Sequence, residues 1–278
     1  MNRLRHVSWN SVALHAVLGV LVLLTLLPLA IMLAISSKDL GQLTLRFWHW
    51  PSPIQWENYL FGVRVTARYL FNSLAVSGAI AALTLLCAAL AAFALSRLRF
   101  PLRAAVRQSL LATMMVPAVL TFVPVFLLCR ALGLLDSFWG LVLPQVAGAL
   151  PMAILLLQTF FDDLPGDLFD SARIDGAHDG QVIWHIVRPL STPVFCTVAI
   201  INLLATWNNY IWPLIAVQRE SLRTLPLGLA FLTAEHNLQF EPGKVMAAYA
   251  VATVPLVAFF LIATKPFVQG LTSGAIKE

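Results

Sequence analysis

Residues 162–193 read DDLPGDLFDSARIDGAHDGQVIWHIVRPLSTP and form a polar island in an apolar chain. The 278-residue chain is 59% hydrophobic and only 11% charged, with a mean hydropathy of +0.82. This composition leaves too little polar surface for a water-soluble globule. We therefore expect a membrane frame that presents the island at its surface. The island holds six of the 13 acidic residues, namely Asp162, Asp163, Asp167, Asp170, Asp175 and Asp179.

The island itself predicts two short helices joined by a hinge. Asp163 is a suitable N-cap for a first helix that runs to about Ile174. Gly176 then permits a backbone turn that a side chain would hinder. A second helix, from about 179 to 187, has an apolar stripe and is expected to stop at Pro189.

Apolar runs on both sides of the island are long enough to cross a bilayer, which takes about 20 residues. The sequence predicts an all-α polytopic membrane protein with six transmembrane helices, folded as one transmembrane domain over residues 1–278. Prolines in the third and fourth runs predict kinked helices inside a bundle. The predicted spans are about 12–35, 69–95, 109–128, 138–160, 194–217 and 245–264.

Basic residues give the expected orientation. Arg97, Arg99, Arg103 and Arg107 follow the second span with no acid among them, so this loop is predicted to be cytoplasmic. Both termini and the loop 162–193 then lie on the cytoplasmic side. The net charge of +5 comes from residues at the ends of apolar runs, which favours contact with a lipid bilayer and disfavours nucleic-acid binding.

The segment DSARIDGA, followed by IVRPLSTP, resembles the E-A-A motif of permease subunits in binding-protein-dependent ABC importers. Three positions depart from that motif. Asp170 stands for Glu, Ser171 for the first Ala, and Arg188 for the Leu before proline; Arg188 is expected to pair with an acid on this chain or on a partner. The matching residues are Ala172, Asp175, Gly176, Ala177, Ile186, Pro189, Leu190 and Pro193.

Six spans, the run WNNYIWPL and the terminal FVQGLTSGAIKE are similar to the smaller permease subunit of the maltose-type carbohydrate-uptake family. The resemblance implies a bacterial inner-membrane protein whose loop 162–193 is a cytoplasmic coupling helix between spans four and five. The implied partners are a second permease subunit, two copies of a cytoplasmic ABC ATPase and an extracytoplasmic solute-binding protein. The implied ATPase-coupling residues are Asp170, Ser171, Ala172, Asp175, Gly176, Ala177, Ile186 and Pro189.

Sequence signatures of catalysis are missing from the chain. No GxxxxGK[ST], HExxH or GxSxG occurs, and the three cysteines are far apart without zinc-ligand spacing. We therefore expect no catalytic residue, no metal and no cofactor, with ATP hydrolysis on a separate subunit.

A substrate path is predicted in the fifth span, because amides beside indoles suit the hydroxyls and C–H faces of a sugar. The alternative is that these residues join helices and anchor the span at the membrane interface. The candidate residues are Asn202, Trp207, Asn208, Asn209 and Trp212.

The function predicted from these features is ATP-driven import of a sugar or polyol. A glycerol-phosphate-type importer is an alternative, although an anionic solute would favour cations in the path, and the inner spans offer none clearly. An ion-coupled secondary transporter or a membrane enzyme would require paired ionisable groups inside the spans, and the predicted spans contain almost none.

Overall fold

The computed structural model describes the backbone of residues 9–235 and 238–273, and these residues form helices without any strand. The prediction of an all-α protein is confirmed. Part of the predicted terminal motif, residues 274–278, lies outside the described residues. The α-helices are α1 (Trp9–Ser36), α2 (Leu40–Leu45), α3 (Trp56–Arg97), α4 (Arg103–Met114), α5 (Ala118–Ala131), α6 (Phe138–Asp162), α7 (Gly166–Ile174), α8 (Asp179–Val182), α9 (Arg188–Leu190), α10 (Thr192–Trp207), α11 (Ile211–Ala216), α12 (Leu225–Glu235) and α13 (Pro242–Ser273).

Three short non-α turns complete the described helical structure. A π-helical turn, Ile183–Val187, connects α8 to α9. Two 3₁₀ turns, Glu220–Leu222 and Leu238–Phe240, flank α12.

Four helical segments in the described part of the chain are long and apolar enough to cross a membrane: Ala13–Ser36, Trp56–Arg97, Phe138–Asp162 and Pro242–Leu261. Two bent pairs raise the number to six if each pair is one span. The pair α4 and α5 bends by 103°, and the pair that joins α8–α9 to α10 bends by 81°. The protein is thus polytopic, and the six individual span limits stay predictions.

Helix α3 extends well beyond the second predicted span. It begins at Trp56, shortly after Pro51 and Pro53, and has 42 residues. At about 1.5 Å per residue it is roughly 63 Å long, twice the hydrocarbon thickness of about 30 Å. Charged residues such as Arg64 make its first part look like a loop in a hydropathy pattern, although the backbone is continuously helical.

Prolines have two different effects in the third and fourth predicted spans. Pro117 is the N-cap of α5 and lies at the sharp break after α4. Pro124, Pro144 and Pro151 lie inside helices that continue past them. Each interior proline leaves a carbonyl without its helical donor, so another group must satisfy that carbonyl.

The described residues group into two compact units. The first comprises the chain up to Ala67 together with Leu229–Val254. In it, the Asn58 side-chain amide donates to the carbonyls of Ser36 and Lys38, both at 3.0 Å. Gly62 lets α3 approach α13 closely, since a Cβ there would lie 3.0 Å from backbone atoms of residues 247 and 248.

The second unit, Arg68–Gly228 together with the chain from Pro255 onwards, has two apolar clusters. One joins α3, α6, α7 and α10 through buried residues that include Phe93, Leu157, Phe161, Phe169 and Val198. The other includes Ile80, Leu141 and Trp212. Helix α6 contributes to both clusters and therefore connects the island at its C-terminal end with α11 near its N-terminal end.

Candidate functional site

The polar island folds as two helical arms, α7 and the stretch from α8 to α9, which we call the elbow (Gly166–Leu190). The predicted hinge at Gly176 is present. The predicted N-cap is wrong: Asp163 has helical φ and ψ and terminates α6, whereas an N-cap residue has extended backbone angles. Pro165 precedes α7 instead, with ψ at 129°.

A Schellman motif closes the first arm of the elbow. Gly176 has φ at +77°, a conformation that favours glycine. The Ala177 N–H donates to the Ala172 carbonyl at 2.9 Å, and the Gly176 N–H donates to the Arg173 carbonyl at 3.1 Å. Asp175 contributes its backbone N–H, which donates to the Ser171 carbonyl at 3.0 Å. Backbone bonds and glycine thus set the bend.

The second arm starts with a capping box. The His178 ring accepts from the Gln181 N–H at 3.3 Å, and the Gln181 side chain accepts from the His178 N–H at 3.1 Å. The arm was predicted to stop at about residue 187 but continues through Pro189 to Leu190. The π-helical turn just before Pro189 is wider than an α-turn, which gives the proline ring room beside the preceding carbonyls.

The inner face of the elbow is anchored in the apolar cluster of α3, α6 and α10. Phe169 is 4% exposed, and Ala172, Val182 and Val187 are also buried there. The Arg97 guanidinium lies 3.9 Å from the Phe169 ring centroid. Its terminal nitrogen also donates to the carbonyls of Phe161 and Leu164. These contacts tie the first arm to the ends of α3 and α6.

The outer face of the elbow carries a different set of residues. Ser171, Asp175 and Gly176 are exposed, as is Asp170, which forms a 3.8 Å ion pair with Arg173. Ala172, a predicted coupling residue, is instead buried in the chain's own core. Of the other predicted coupling residues, Pro189 is exposed, while Ala177 and Ile186 are half-buried.

One outer-face residue was missed from the sequence. Ile174 is 87% exposed at the end of α7, two residues after the buried Ala172. At 100° per residue this places it far round the helix from the buried face. A helical-wheel comparison with Phe169 and Ala172 could have found it, since an apolar residue opposite the buried stripe has no packing role within its own helix.

Arg188, the clearest departure from the E-A-A motif, stacks on an aromatic ring. Its guanidinium lies 4.1 Å from the ring centroid of Trp184, one turn earlier. Both side chains are exposed. The predicted pairing of Arg188 with an acid is not seen among the described side chains, which include ion pairs of Arg173, Arg219 and Lys244.

The residues predicted for the substrate path do not all come together. Asn209 and Trp212 form side-chain hydrogen bonds to α6. The side chains of Asn202 and Asn208 donate instead to carbonyls of their own helix, Val198 and Leu204, both at 2.9 Å. Trp207 is half-buried at the end of α10. The structure therefore separates this set into a pair that joins helices and three residues outside that contact.

The contact between α6 and α11 is a hydrogen-bonded junction. Asn209 donates to the Gln145 side-chain oxygen at 2.7 Å and accepts from the Trp212 N–H at 3.2 Å. The Trp212 indole N–H donates to the Gly140 carbonyl at 3.0 Å. Pro144 lies four residues after Gly140 and has no N–H, so the indole replaces the missing helical donor.

A charged clasp lies beside this junction. Asp136 accepts from the backbone N–H groups of Arg219 and Gln218 at 2.9 and 3.1 Å, and from the Arg219 side chain at 2.7 Å. The Arg219 N–H, with help from the other donors, lowers the pKa of the Asp136 carboxyl below its ordinary value. We call the junction and the clasp together the polar cluster (Asp136, Gly140, Gln145, Asn209, Trp212 and Arg219).

The described residues contain no group of three or more His, Cys, Asp or Glu that could hold a metal ion. The recognisable site is instead an exposed helical elbow that lies between α6 and α10 and is anchored to both. The fold and the site define a polytopic α-helical membrane protein with an exposed helical elbow. Residues 84–273 match the family described as binding-protein-dependent transport system inner membrane component, and the chain belongs to this family.

Characterised relatives agree with this assignment. The chain is 33% identical over 229 residues to the trehalose transport system permease protein SugB of Mycobacterium tuberculosis, covering 82% of this chain and 84% of that protein. It is 32% identical over 270 residues to the sn-glycerol-3-phosphate transport system permease protein UgpE of Yersinia enterocolitica, with coverages of 92% and 94%.

The fold is also that of a solved transporter chain. A bacterial ABC transporter involved in the import of the acidic polysaccharide alginate contains a chain that superposes with a TM-score of 0.81. The match covers 95% of this chain and 99% of the other, at 22% identity. The protein is thus a permease subunit of a binding-protein-dependent ABC import system and not an enzyme. Membership in this family implies an ATPase and a solute-binding protein as partners.

Proposed function

We propose that this chain is the translocating subunit of an ATP-driven importer for a sugar or polyol, and that the elbow docks on the cytoplasmic ATPase. The observation that carries the proposal is the two-sided elbow. Its inner face is fixed to α3, α6 and α10, and its outer face exposes Ile174 beside Asp175 and Gly176. An anchored body of this kind transmits a push on its outer face to the membrane helices.

Ile174 is the expected anchor of this docking surface. A large apolar side chain that is 87% exposed outside the apolar spans gains free energy when a partner's pocket covers it. The exposed Ser171 and Gly176 beside it allow close approach. The implied assembly has a second permease subunit, two ATPase copies and a solute-binding protein, with both termini of this chain in the cytoplasm.

The test replaces Ile174 in the complete transporter. Ile174→Asp should reduce co-purification with the ATPase and lower binding-protein-stimulated ATP hydrolysis roughly thirtyfold, as for the loss of about 2 kcal/mol at an interface anchor. Ile174→Leu keeps the apolar area and should retain most of the activity. Stimulated hydrolysis at the normal rate in Ile174→Asp would contradict docking through this face.

Gly176 offers a second test at the same bend. A Cβ there would meet no atom within 4 Å, so the chain itself leaves room for a side chain. Gly176→Ala places a Cβ at the same positive φ without added bulk and is therefore the control for backbone strain. Gly176→Trp should abolish stimulated ATP hydrolysis in protein that is still inserted in the membrane. Normal transport by this variant would contradict the proposal that the elbow couples ATP hydrolysis to transport.

A phosphorylated glycerol-type solute is the second candidate, favoured by the similarity to the sn-glycerol-3-phosphate permease. Screening the cognate solute-binding protein against neutral sugars, polyols and sn-glycerol 3-phosphate would separate the two. We expect a neutral carbohydrate or polyol to bind.

An ion-coupled mechanism is tested by measuring whether uptake depends on ATP or on an ion gradient. Uptake into proteoliposomes should need ATP on the ATPase side and continue when ion gradients are collapsed.

A further inference from the structure

A groove lies between α3 and the second arm of the elbow. Its walls come from one side of α3, with Leu86, Ala89 and Leu90, and from the opposite side with Phe195 of α10 and Trp184 of the π-helical turn. The groove has a volume of about 340 Å³, and its lining is almost wholly apolar. Leu86 and Leu90 are more than half exposed, so the chain itself leaves this surface uncovered.

The mouth of the groove is polar and basic. Arg188 lines both the apolar groove and a shallow neighbouring depression that also touches His185 and Thr192. The Thr192 hydroxyl donates to the Arg188 carbonyl at 3.1 Å, which fixes the local backbone. The guanidinium is held over the Trp184 ring, with its planar donors at the boundary between the two surfaces.

We propose that this groove binds one anionic phospholipid, with an acyl chain along Leu86 and Leu90 and the phosphate on Arg188. The groove supplies an apolar wall and a single basic mouth, which is the complement of an anionic lipid. Arginine binds phosphate through parallel N–H donors, and tryptophan at the edge of an apolar surface suits the membrane interface. Basic pockets between membrane helices bind anionic head groups in this way.

Charge argues for a lipid over a helix of the second permease subunit. A protein helix that covered the groove would bury the Arg188 guanidinium, which is costly unless a carboxylate comes with it. A phospholipid brings its own anion and leaves the head group in contact with water. The assignment also gives the arginine that departs from the E-A-A motif a role of its own.

The site differs from general lipid contact because it would bridge two elements of the fold. One wall belongs to α3, and the other belongs to the arm of the elbow that continues into α10. A bound lipid would therefore add to the contacts that hold the second arm of the elbow against α3.

Native mass spectrometry of the complete purified transporter tests the binding. The probes are palmitoyl-oleoyl phosphatidylglycerol and the matching phosphatidylcholine. We expect at least about tenfold tighter retention of phosphatidylglycerol, because its head group is a net anion, whereas the choline of phosphatidylcholine offsets the phosphate charge and repels the Arg188 guanidinium. Arg188→Gln should abolish that preference. Arg107→Gln removes another exposed arginine, on α4, and should leave it unchanged.

Equal retention of both lipids, or a preference that survives in Arg188→Gln, would leave general lipid contact only and overturn the proposal. Photo-crosslinking identifies the occupant directly. A benzoylphenylalanine in place of Leu86, on the open rim, should gain the mass of one phosphatidylglycerol after illumination. Crosslinking to the second permease chain instead would show that protein covers the groove.

Discussion

The elbow and the polar cluster lie at opposite ends of α6, and both contain polar residues that contrast with the apolar sequence around them. In the elbow, the polar groups of Ser171 and Asp175 are exposed, while the buried face is apolar. In the polar cluster, Asn209 and Gln145 form a hydrogen bond with each other, and the Trp212 indole donates to a carbonyl of α6.

This difference shows that polar residues in an otherwise apolar sequence can have two different roles. Polar side chains next to water can remain without a protein partner and are free to meet another protein. An unpaired buried polar group costs about 1–3 kcal/mol, so polar side chains inside the membrane frame are stabilised by a local partner, as Asn209 is by Gln145. The Trp212 indole also compensates the proline-freed carbonyl of Gly140 on α6, so this residue has a structural role whether or not a solute passes nearby.

The largest expected effect concerns the anchored face of the elbow. Phe169→Ala removes a buried ring and its contact with the Arg97 guanidinium, and should destabilise the protein by about 3–5 kcal/mol. The neighbouring Leu168 is 41% exposed, so Leu168→Ala should cost less than about 1 kcal/mol. Thermal unfolding of the detergent-purified protein measures both. Similar losses in the two variants would contradict a one-sided elbow.

A smaller effect is expected in the polar cluster, where Asn209 is the test position and the adjacent Asn208, outside the cluster, is its control. Asn209→Ala removes the bonds to Gln145 and to the Trp212 N–H and should cost about 1–2 kcal/mol. Asn208→Ala removes one exposed bond within α10 and should change stability by less than about 0.5 kcal/mol.

Solute transport separates the two interpretations of Asn209. A helix-joining residue should affect stability with little change in the solute concentration that gives half-maximal uptake. A marked rise in that concentration in Asn209→Ala, without loss of stability, would favour the substrate path instead.

The smallest effect is a pH dependence at the clasp. The pKa of Asp136 is lowered in the folded protein, so its ionised form stabilises the fold. That contribution is complete above the ordinary value of 3.8 and is lost as pH falls through the lower folded value. Asp136→Asn should therefore lower the unfolding temperature slightly at pH 6, and the difference from the natural protein should shrink towards pH 3.

Asp170→Asn is the matched control for the clasp. Its carboxylate lies in an exposed ion pair within one helix turn, and such pairs contribute little. An Asp136→Asn variant that is as stable as Asp170→Asn at pH 6 would show that the clasp does not stabilise the fold.

Several features of the elbow could be predicted from residues alone. The hinge followed from Gly176, because only glycine adopts a positive φ at low cost. The length of the second arm could not, because it depends on a π-helical turn that makes room for Pro189. The start of α3 could not be predicted for a different reason. Charged residues hide the first part of this helix in a hydropathy pattern, although backbone hydrogen bonding continues through them.

The sequence by itself determined the membrane class, the helical content and the place of the elbow, since these follow from apolar run length, local backbone preference and a short motif. Tertiary structure decided which face of the elbow is buried, and the helical period then places Ile174 on the opposite face. Ala172 and Ile174 are two residues apart, yet one is buried and the other is 87% exposed. It also decided that Asn209 binds Gln145, 64 positions away, because packing of distant helices selects the partner of each buried polar group.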